Sequence, residues 1–526
     1  MIDRTPAPGG GRLARRTRGA GGRRARLLAI VVALAAALGP SAAAAAWRTV
    51  DTFTLKGAHG FIAIPEDWNG GLFLYAHGYS ADRRLLAPIP PDLQQENAFQ
   101  KLPQLLVPAV LPTMSGYAVG TTTFRSAGWA VKDAIKDIEN VRRRFVKKYG
   151  EPTYTYMWGH SGGGMVTQAV IEYFPDTYDG ALPMCAPGAG GRRNFNAAFD
   201  LRAAFEYVCK DVPGAAFVCG ICSGGERRCL VDADCPRRQT CSAREAPPPP
   251  ELGLTRQCTK FLLAHPDRFS ETPTSVGGSF VTPPVTACFG DLTGDTPPTP
   301  EQAARRDLFL RLTQIPEDFI LTDMFFASIG MAEVVHVRTK GKHPWGNAGV
   351  TYDPPALTAE EKAALNAGIY RVKEDASAVA YMRRFYEPRA ATNAKVLTVH
   401  ALDDGLVLPE NETKYRQAFV AAGRTEQLVQ LTTTQGGHCG FIGEMFMALP
   451  ALTRWVEQGD KPSTASLLAA CSFCSFTDTE PGPWGLKVVE RAQKRVPVES
   501  LVCTGLPGDC PAGSSCSVAD AHCAAD

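Results

Sequence analysis

Short apolar runs alternate with amphipathic stretches over the first part of the chain. Residues 61–65 and 71–76 are apolar runs of strand length, separated by the turn residues 66–70, and a third run covers 117–121. Between residues 131 and 145 the apolar positions instead recur at helical spacing, with Lys and Arg on the opposite face. This alternation of strands and helices predicts an α/β fold with a mostly parallel sheet and helices on both of its faces.

The same pattern continues to about residue 190 and then returns near residue 386. A strand, a glycine-rich turn and a helix are predicted over 154–174, and a further strand over 180–185. Strands at 396–400 and 428–432 and a helix at about 443–455 complete the pattern. We therefore expect one sheet that is built from two separated parts of the chain.

The segment between these two parts has a different composition. It contains a proline tract at 247–250, a cluster of cysteines and several helical stretches, one of which begins with a capping box from Thr358 to Glu361. We expect this insertion to lie over the carboxyl ends of the strands as a lid.

The first 46 residues are typical of a secretory signal peptide. They combine an arginine-rich start, an apolar run at 27–38 and small residues at 42–46, which predicts cleavage near Ala46 and a secreted or periplasmic protein. The predicted regions are the signal peptide (1–46), the first part of the core (47–190), the lid (191–385), the second part of the core (386–460) and a cysteine-containing tail (461–526).

Charge narrows the range of partners. The whole chain carries a formal net charge of +2, and the eight Arg and one Asp of the leader contribute +7 of it, which leaves −5 on the remainder. No basic patch remains, so we expect no nucleic-acid partner. No later segment approaches the length of a transmembrane helix, so we expect no stable membrane insertion after cleavage. The sequence gives no oligomeric state.

The chain has 16 cysteines, all from Cys185 onward. An even number after a signal peptide predicts disulfides. An Asp-Cys-Pro motif with another cysteine six residues after the first occurs twice, at 234–241 and 509–516. The Cys-x-x-Cys pairs at 219–222 and 471–474 lack a matching second pair, so we expect no zinc, and no other metal or cofactor is implied.

One pentapeptide carries the candidate chemistry. Gly159-His160-Ser161-Gly162-Gly163 joins the predicted aromatic strand to the predicted helix. A sharp strand-to-helix turn of this kind exposes the central serine hydroxyl beside backbone N–H groups at a helix N-terminus. Ser161 is therefore the candidate nucleophile.

A serine nucleophile needs a base and an acid that orients the base. Two carboxylates, Asp403 and Asp404, follow the predicted strand at 396–400, and His438 follows the predicted strand at 428–432 in a Gly-Gly-His loop. In folds with this type of serine turn the chain order is serine, acid, histidine. His438 is the candidate base, whereas His400 at a strand end and His160 inside the pentapeptide are expected to be structural.

The serine turn, the acid loop and the Gly-His loop together resemble the α/β-hydrolase superfamily over about 47–190 and 385–460. The resemblance favours Asp404 over Asp403, because Asp404 stands four residues past a histidine in Asp-x-Leu-Val, and it makes Asp403 a turn or capping residue. It implies an oxyanion hole formed by the backbone N–H groups of Gly162 and Tyr79, with His77 shaping the loop that carries Tyr79.

Cys439, directly after His438, resembles the arrangement in the tannase and feruloyl-esterase group. There a disulfide joins the cysteine after the histidine to a cysteine before the serine, a position that His160 occupies in this chain. We expect Cys439 to pair instead with Cys471, with Cys474 or with a cysteine of the insertion. Extracellular polyester depolymerases are a second likeness, through secretion, lid and triad.

These patterns lead to one main hypothesis of function and two alternatives. The main hypothesis is a secreted serine esterase that forms an acyl-enzyme on a polyester or plant-phenolic ester. The alternatives are a serine peptidase resembling the prolyl-oligopeptidase group and a non-catalytic binding protein on a hydrolase scaffold. Acyl and alcohol specificity depends on how the insertion covers Ser161.

Overall fold

A nine-stranded sheet in the order β1-β2-β4-β3-β5-β6-β11-β12-β13 organises the chain. The computed structural model describes residues 47–80, 111–244, 254–265, 278–292, 296–434, 436–478, 491–492, 514–517 and 522–525. The strands of the sheet are β1 (Trp47–Leu55), β2 (Ala58–Pro65), β3 (Leu72–Ala76), β4 (Ala118–Thr122), β5 (Thr155–His160), β6 (Gly180–Met184), β11 (Lys395–Ala401), β12 (Leu428–Thr433) and β13 (Phe476–Thr477).

The centre of the sheet is parallel and its two edges contain antiparallel pairs. β3 pairs in parallel with β4 and β5, and β6 pairs in parallel with β5 and β11. β2 and β13 run antiparallel to β4 and β12. All five residues of β3 are buried, as expected for a strand covered on both faces. The predicted α/β-hydrolase fold is therefore confirmed, and β1 is a strand that the apolar pattern did not predict.

Helices from both parts of the chain cover the sheet. They are α1 (Val131–Tyr149), α2 (Gly162–Tyr173), α9 (Glu410–Ala421) and α10 (Ile442–Gln458), and α11 (Thr464–Ala470) follows. The apolar positions that predicted α1 form its buried face, including Ile138, Val141 and Phe145. Helices that are close in sequence to the strands thus cover the sheet with apolar side chains.

The segment between β6 and β11 includes the region predicted as a lid, and its described strands lie outside the nine-stranded sheet. It contains α3 (Gly191–Cys209), α4 (Arg256–Ala264), α5 (Gly278–Phe289), α6 (Pro300–Thr313), α7 (Ala359–Gly368) and α8 (Ala376–Arg384). A small three-stranded sheet is formed by β7 (Gly220–Cys222), β8 (Arg228–Cys229) and β9 (Cys241–Arg244), and β10 (Thr351–Tyr352) pairs with β14 (Arg491–Ala492). The Thr358 hydroxyl accepts from the Glu361 N–H at the start of α7, so the predicted capping box is present.

A 22-residue helical segment, Glu317–Arg338, lies between α6 and α7 and is called the lid helix below. It begins with a 3₁₀ turn and contains π-helical turns at Phe326–Gly330 and Val334–Arg338. Contrary to the expectation from sequence, this helix is long and apolar enough to cross a membrane by length and composition. However, 72% of its apolar window is buried inside the protein, as in the core helix of a soluble domain.

Disulfides tie the insertion together. Six are present among the described residues: Cys185–Cys439, Cys209–Cys288, Cys219–Cys258, Cys222–Cys235, Cys229–Cys241 and Cys471–Cys474. The expected partners of Cys439 were wrong: Cys439 bonds to Cys185, which precedes the predicted insertion, and Cys471 and Cys474 bond to each other. The sulfur atoms of Cys222, Cys229 and Cys235 lie within 4.8 Å of one another, but all three are disulfide-bonded.

The C-terminal tail is described only in part. The strands β15 (Ser514–Ser517) and β16 (His522–Ala525) pair antiparallel. The signal peptide predicted over 1–46 and the start of the second Asp-Cys-Pro motif lie outside the described residues.

The cysteine module, defined as residues 219–241, should be the first part of the protein to respond to reductant. Two of its disulfides close loops of only 13 and 12 residues. A disulfide that closes a loop of about 15 residues stabilises the folded state by about 3 kcal/mol. Mild reductant should therefore raise deuterium uptake in 219–241 before it does so in β3 and β5, measured by hydrogen-exchange mass spectrometry. Earlier exchange in β3 and β5 would contradict this assignment.

Candidate functional site

Ser161 stands at a strained turn between β5 and α2. Its backbone has φ 55° and ψ −128°, a combination that an L-residue adopts only when the surrounding structure enforces it. The Ser161 N–H donates to the carbonyl of Met184 at the end of β6, at 2.9 Å. The turn is thus held to the neighbouring strand while the side chain projects from the carboxyl end of the sheet.

Two glycines make this turn possible. A Cβ atom on Gly163 would lie 2.1 Å from the carbonyl oxygen of Ala76, and one on Gly159 would lie 2.6 Å from the same oxygen. Real Cβ contacts are not this short, so α2 approaches β3 and β5 only because these positions lack side chains. The same close approach brings the N-terminus of α2 next to the loop after β3.

Asp404 and His438 reach Ser161 from the two strands of the second part of the core. His438 Nε2 lies 2.9 Å from Ser161 Oγ, and His438 Nδ1 lies 2.8 Å from Asp404 Oδ2. Asp404 follows β11 and His438 follows β12, so parallel pairing of these strands delivers both loops to one edge. The structure brings together the three side chains that the sequence singled out.

The Asp404 carboxylate is buried but fully hydrogen-bonded. Its Oδ1 accepts from the N–H groups of Leu406 and Val407 at 3.0 and 2.9 Å. Burial alone would raise the pKa of Asp404, but the imidazoles of His438 and His400 outweigh it and hold that pKa well below its usual range. Asp404 is therefore a carboxylate that can hold His438 in the tautomer with its proton on Nδ1.

Asp403, the alternative acid, has a different position. Its side chain is exposed, and Oδ1 accepts from the Gly437 N–H at 2.8 Å. Asp403 thus fixes the start of the loop that carries His438. Its contact with Gly437 agrees with the turn role expected for it.

Behind Asp404 lies a second buried histidine, His400. Its Nε2 is 2.7 Å from the Val407 carbonyl and 3.4 Å from Asp404 Oδ2, and its Nδ1 is 3.2 Å from Glu412 Oε1. Burial would lower the pKa of His400, but hydrogen bonds and charge from Asp404 and Glu412 raise it to about 10. His400 is therefore a buried imidazolium between two carboxylates.

The histidines near the serine turn are neutral structural groups. His160 Nδ1 lies 2.7 Å from the Tyr75 hydroxyl, and burial, together with nearby His438 and His77, lowers the pKa of His160 to about 4. His77 stacks on Phe124 with ring centroids 4.1 Å apart, and burial lowers its pKa as well. The contact of His160 agrees with the structural role expected for it, and His77 Nδ1 lies 2.8 Å from the Gly78 carbonyl in the loop that His77 was expected to shape.

The backbones of Gly162 and Tyr79 lie side by side next to Ser161. A Cβ atom on Gly162 would be 3.0 Å from the Tyr79 nitrogen, and one on Gly78 would be 3.5 Å from Ser161 Cβ. Gly162 is the first residue of α2, where backbone N–H groups have no partner within the helix. The backbone segments that carry the two N–H groups expected to form an oxyanion hole are thus next to each other.

The lid helix fixes the loop that holds Tyr79. Glu333 Oε2 accepts from the Trp129 N–H at 2.9 Å, and Glu333 Oε1 accepts from Arg338 Nε at 2.6 Å. The Gly128 N–H, directly before Trp129, donates to the Ser80 carbonyl at 2.7 Å. Through Trp129 and Gly128, a buried ion pair of the insertion therefore supports the backbone beside Ser161.

The disulfide Cys185–Cys439 attaches the histidine loop to β6. Cys185 directly follows β6, next to the residue paired with His160, and Cys439 directly follows His438. This bond was not predicted from the sequence. One available signal was that Cys185 alone precedes the insertion and ends a strand predicted next to the serine turn.

An apolar cavity opens beside Ser161 between the sheet and the insertion. Its volume is about 80 Å³. The lid helix contributes Asp323 and Phe326, α3 contributes Phe195, Ala198 and Leu201, and the acid loop contributes residues 405–408. The cavity places an apolar, partly aromatic surface next to the candidate nucleophile Ser161.

One family model matches part of the chain. Residues 59–210 match a model described as a tannase-like family of unknown function, DUF6351. That match covers β2 to α3 and includes Ser161. The comparison with curated proteins found no match.

Solved structures provide distant likenesses. The rice cell wall degrading esterase LipA from Xanthomonas oryzae is 12% identical with a TM-score of 0.36, covering 76% of this chain and 85% of that one. Feruloyl esterase B from Aspergillus oryzae is 14% identical with a TM-score of 0.37, covering 78% and 80%. A putative hydrolase from Legionella pneumophila is 12% identical with a TM-score of 0.33, covering 76% and 83%.

The close approach at the serine turn predicts the effect of one methyl group. Gly163→Ala should lower the free energy of unfolding by about 1–3 kcal/mol, because the added Cβ overlaps the Ala76 carbonyl. Gly225→Ala is the matched control, since a Cβ there would meet nothing nearer than 4.0 Å and should change stability by less than about 0.5 kcal/mol. Urea unfolding of both variants checks this, and equal stabilities would contradict it.

Proposed function

We propose that this protein is a secreted serine hydrolase that cleaves carboxylic esters through Ser161, His438 and Asp404. The observation that carries the proposal is the continuous chain of contacts from Ser161 Oγ to His438 Nε2 and from His438 Nδ1 to Asp404 Oδ2, at 2.9 and 2.8 Å. A serine hydroxyl becomes a nucleophile when a positioned base removes its proton, and a carboxylate keeps that base in the correct tautomer.

In the first half-reaction Ser161 Oγ attacks the ester carbonyl carbon while its proton moves to His438 Nε2. The carbonyl oxygen becomes an oxyanion, which the N–H groups of Gly162 and Tyr79 stabilise. When the tetrahedral intermediate collapses, the carbon–oxygen bond to the alcohol breaks. His438 Nε2 then gives its proton to the departing alcohol, leaving an acyl group on Ser161.

The second half-reaction releases the acyl group. Water donates a proton to His438 Nε2 and attacks the acyl carbonyl, and collapse returns the proton to Ser161 Oγ with release of a carboxylic acid. Asp404 remains a carboxylate and stabilises the transient imidazolium of His438 in both halves.

Secretion is supported by the leader and the cysteines. Residues 1–46 have the composition of a signal peptide, and six disulfides form among the described residues. Such a number of disulfides is typical of proteins that fold in an oxidising compartment.

The cavity favours an ester with a ring-sized apolar group. Trp129, Phe195 and Phe326 supply flat aromatic surface beside Ser161. Among the expected substrates, a plant-phenolic ester fits these walls better than an aliphatic polyester chain, and the tannase-like match over 59–210 agrees with this choice.

A fluorophosphonate probe tests the nucleophile directly. The folded protein should be labelled at Ser161, identified by mass spectrometry, because the probe reacts with a serine whose proton is removed by a base. Ser161→Ala should abolish labelling and lower ester hydrolysis by about 10⁶-fold. Absence of labelling in the folded protein would overturn the proposal, and faster cleavage of aminoacyl anilides than of matched esters would favour a peptidase.

The two neighbouring carboxylates provide a matched pair of variants. Asp404→Asn should lower kcat for an aryl ester by about 10⁴-fold, because an amide in that place favours the wrong tautomer of His438. Asp403→Asn retains an oxygen that can accept from Gly437 and should cost less than about tenfold. Equal losses in the two variants would contradict the assignment of Asp404.

A further inference from the structure

The cavity beside Ser161 contains a carboxyl group that the proposed reaction does not use. Asp323 is on the lid helix, is 4% exposed and lines the cavity. Its Oδ2 has no hydrogen-bond partner in the described part of the chain. Buried polar atoms are nearly always paired, so an unpaired carboxyl oxygen at the wall of a cavity indicates a polar group supplied by a ligand.

A second unpaired polar atom belongs to a residue that lines the same cavity. Trp129 is 6% exposed and lines the cavity, and its indole Nε1 also lacks a partner among the described residues. Its backbone N–H is fixed by Glu333. An indole N–H can only donate, so its ligand must present an acceptor such as oxygen.

The surroundings of Asp323 define the charge that the ligand should carry. Burial, and then the negative charge of nearby Asp404, raise the pKa of Asp323 well above its usual range. This shift favours the protonated carboxyl group, which can both donate and accept a hydrogen bond. A ligand carboxylate placed here would meet the Asp404 charge in a poorly solvated site, whereas a hydroxyl group would add no charge.

We propose that Asp323 recognises a hydroxyl group on the aromatic part of the ester that enters the cavity, with Trp129 as a second hydrogen-bonding wall. This inference rests on the proposed function and adds a specificity-determining residue to it. Phe195 and Phe326 would pack against the ring, and Asp323 would distinguish a hydroxylated ring from an unsubstituted one. A site built to bond a hydroxyl group disfavours the analogue that lacks it, because its own polar atoms then remain unpaired.

The test uses two pairs of esters, each with and without a para-hydroxyl group on its ring. Methyl phenylpropanoate and its hydroxy derivative place the ring on the acyl side, and phenylethyl acetate and its hydroxy derivative place it on the alcohol side. Saturated linkers insulate the ester carbonyl from the substituent. In at least one pair the native protein should show about tenfold higher kcat/KM for the hydroxylated ester.

Variants at Asp323 distinguish the loss of its hydrogen bond from a change in the shape of the cavity. Asp323→Leu should remove the preference for the hydroxylated ester, whereas Asp323→Asn, which keeps the shape and the polar atoms, should retain part of it. Asp318→Asn is the control, since Asp318 is exposed on the first turn of the lid helix and should leave the preference unchanged. Thermal unfolding of each variant shows whether it is folded.

A binding measurement on Ser161→Ala separates this inference from the proposed reaction. Calorimetry with phenylpropanol and its para-hydroxy derivative should show tighter binding of the hydroxylated alcohol, lost when Asp323→Leu is added. If all four esters are cleaved with ratios unaffected by Asp323→Leu, the inference is overturned and the proposed function stands. If no ester is cleaved, the esterase proposal fails for these substrates, and equal binding of the two alcohols overturns the inference as well.

Discussion

The buried carboxylate of Asp404 is the interaction on which the arrangement of the site depends. One oxygen accepts from two backbone N–H groups of its own loop. The other lies near two imidazoles, that of His400 at the end of β11 and that of His438 in the loop after β12. A buried charge costs several kcal/mol unless it is paired and hydrogen-bonded. The two loops are therefore held in one geometry, because moving either of them would leave an ion uncompensated.

A residue of α9 also belongs to the buried ionisable groups around Asp404. Glu412 contacts His400 and also accepts from Thr398 and Gln430, so a negative, a positive and a negative group lie in a row beneath the site. His438 stands at the end of this row, with its Nδ1 2.8 Å from Asp404 Oδ2. Preorganised charge of this kind stabilises a transient ion without reorganisation at the moment it forms.

Local patterns predicted most of the sheet and the three side chains Ser161, Asp404 and His438 that meet at its edge. The preference for Asp404 rested on its spacing from His400, and the two side chains are in contact. The Cys185–Cys439 bond was not predictable from spacing, since it depends on β6 and the loop after β12 meeting at one edge. The cavity could not be predicted either, because Asp323 and Trp129 are far apart in sequence and line it only in the folded protein.

The Cys185–Cys439 bond also determines the covalent connectivity of the protein. The bonded residues are 254 positions apart, so the bond and the intervening chain form one closed ring that contains the whole insertion. A single proteolytic cut anywhere in that ring converts the chain into two fragments that remain one molecule. The fragment with Ser161 stays attached to the fragment with His438, so cleavage of an exposed loop does not by itself separate the two halves of the site.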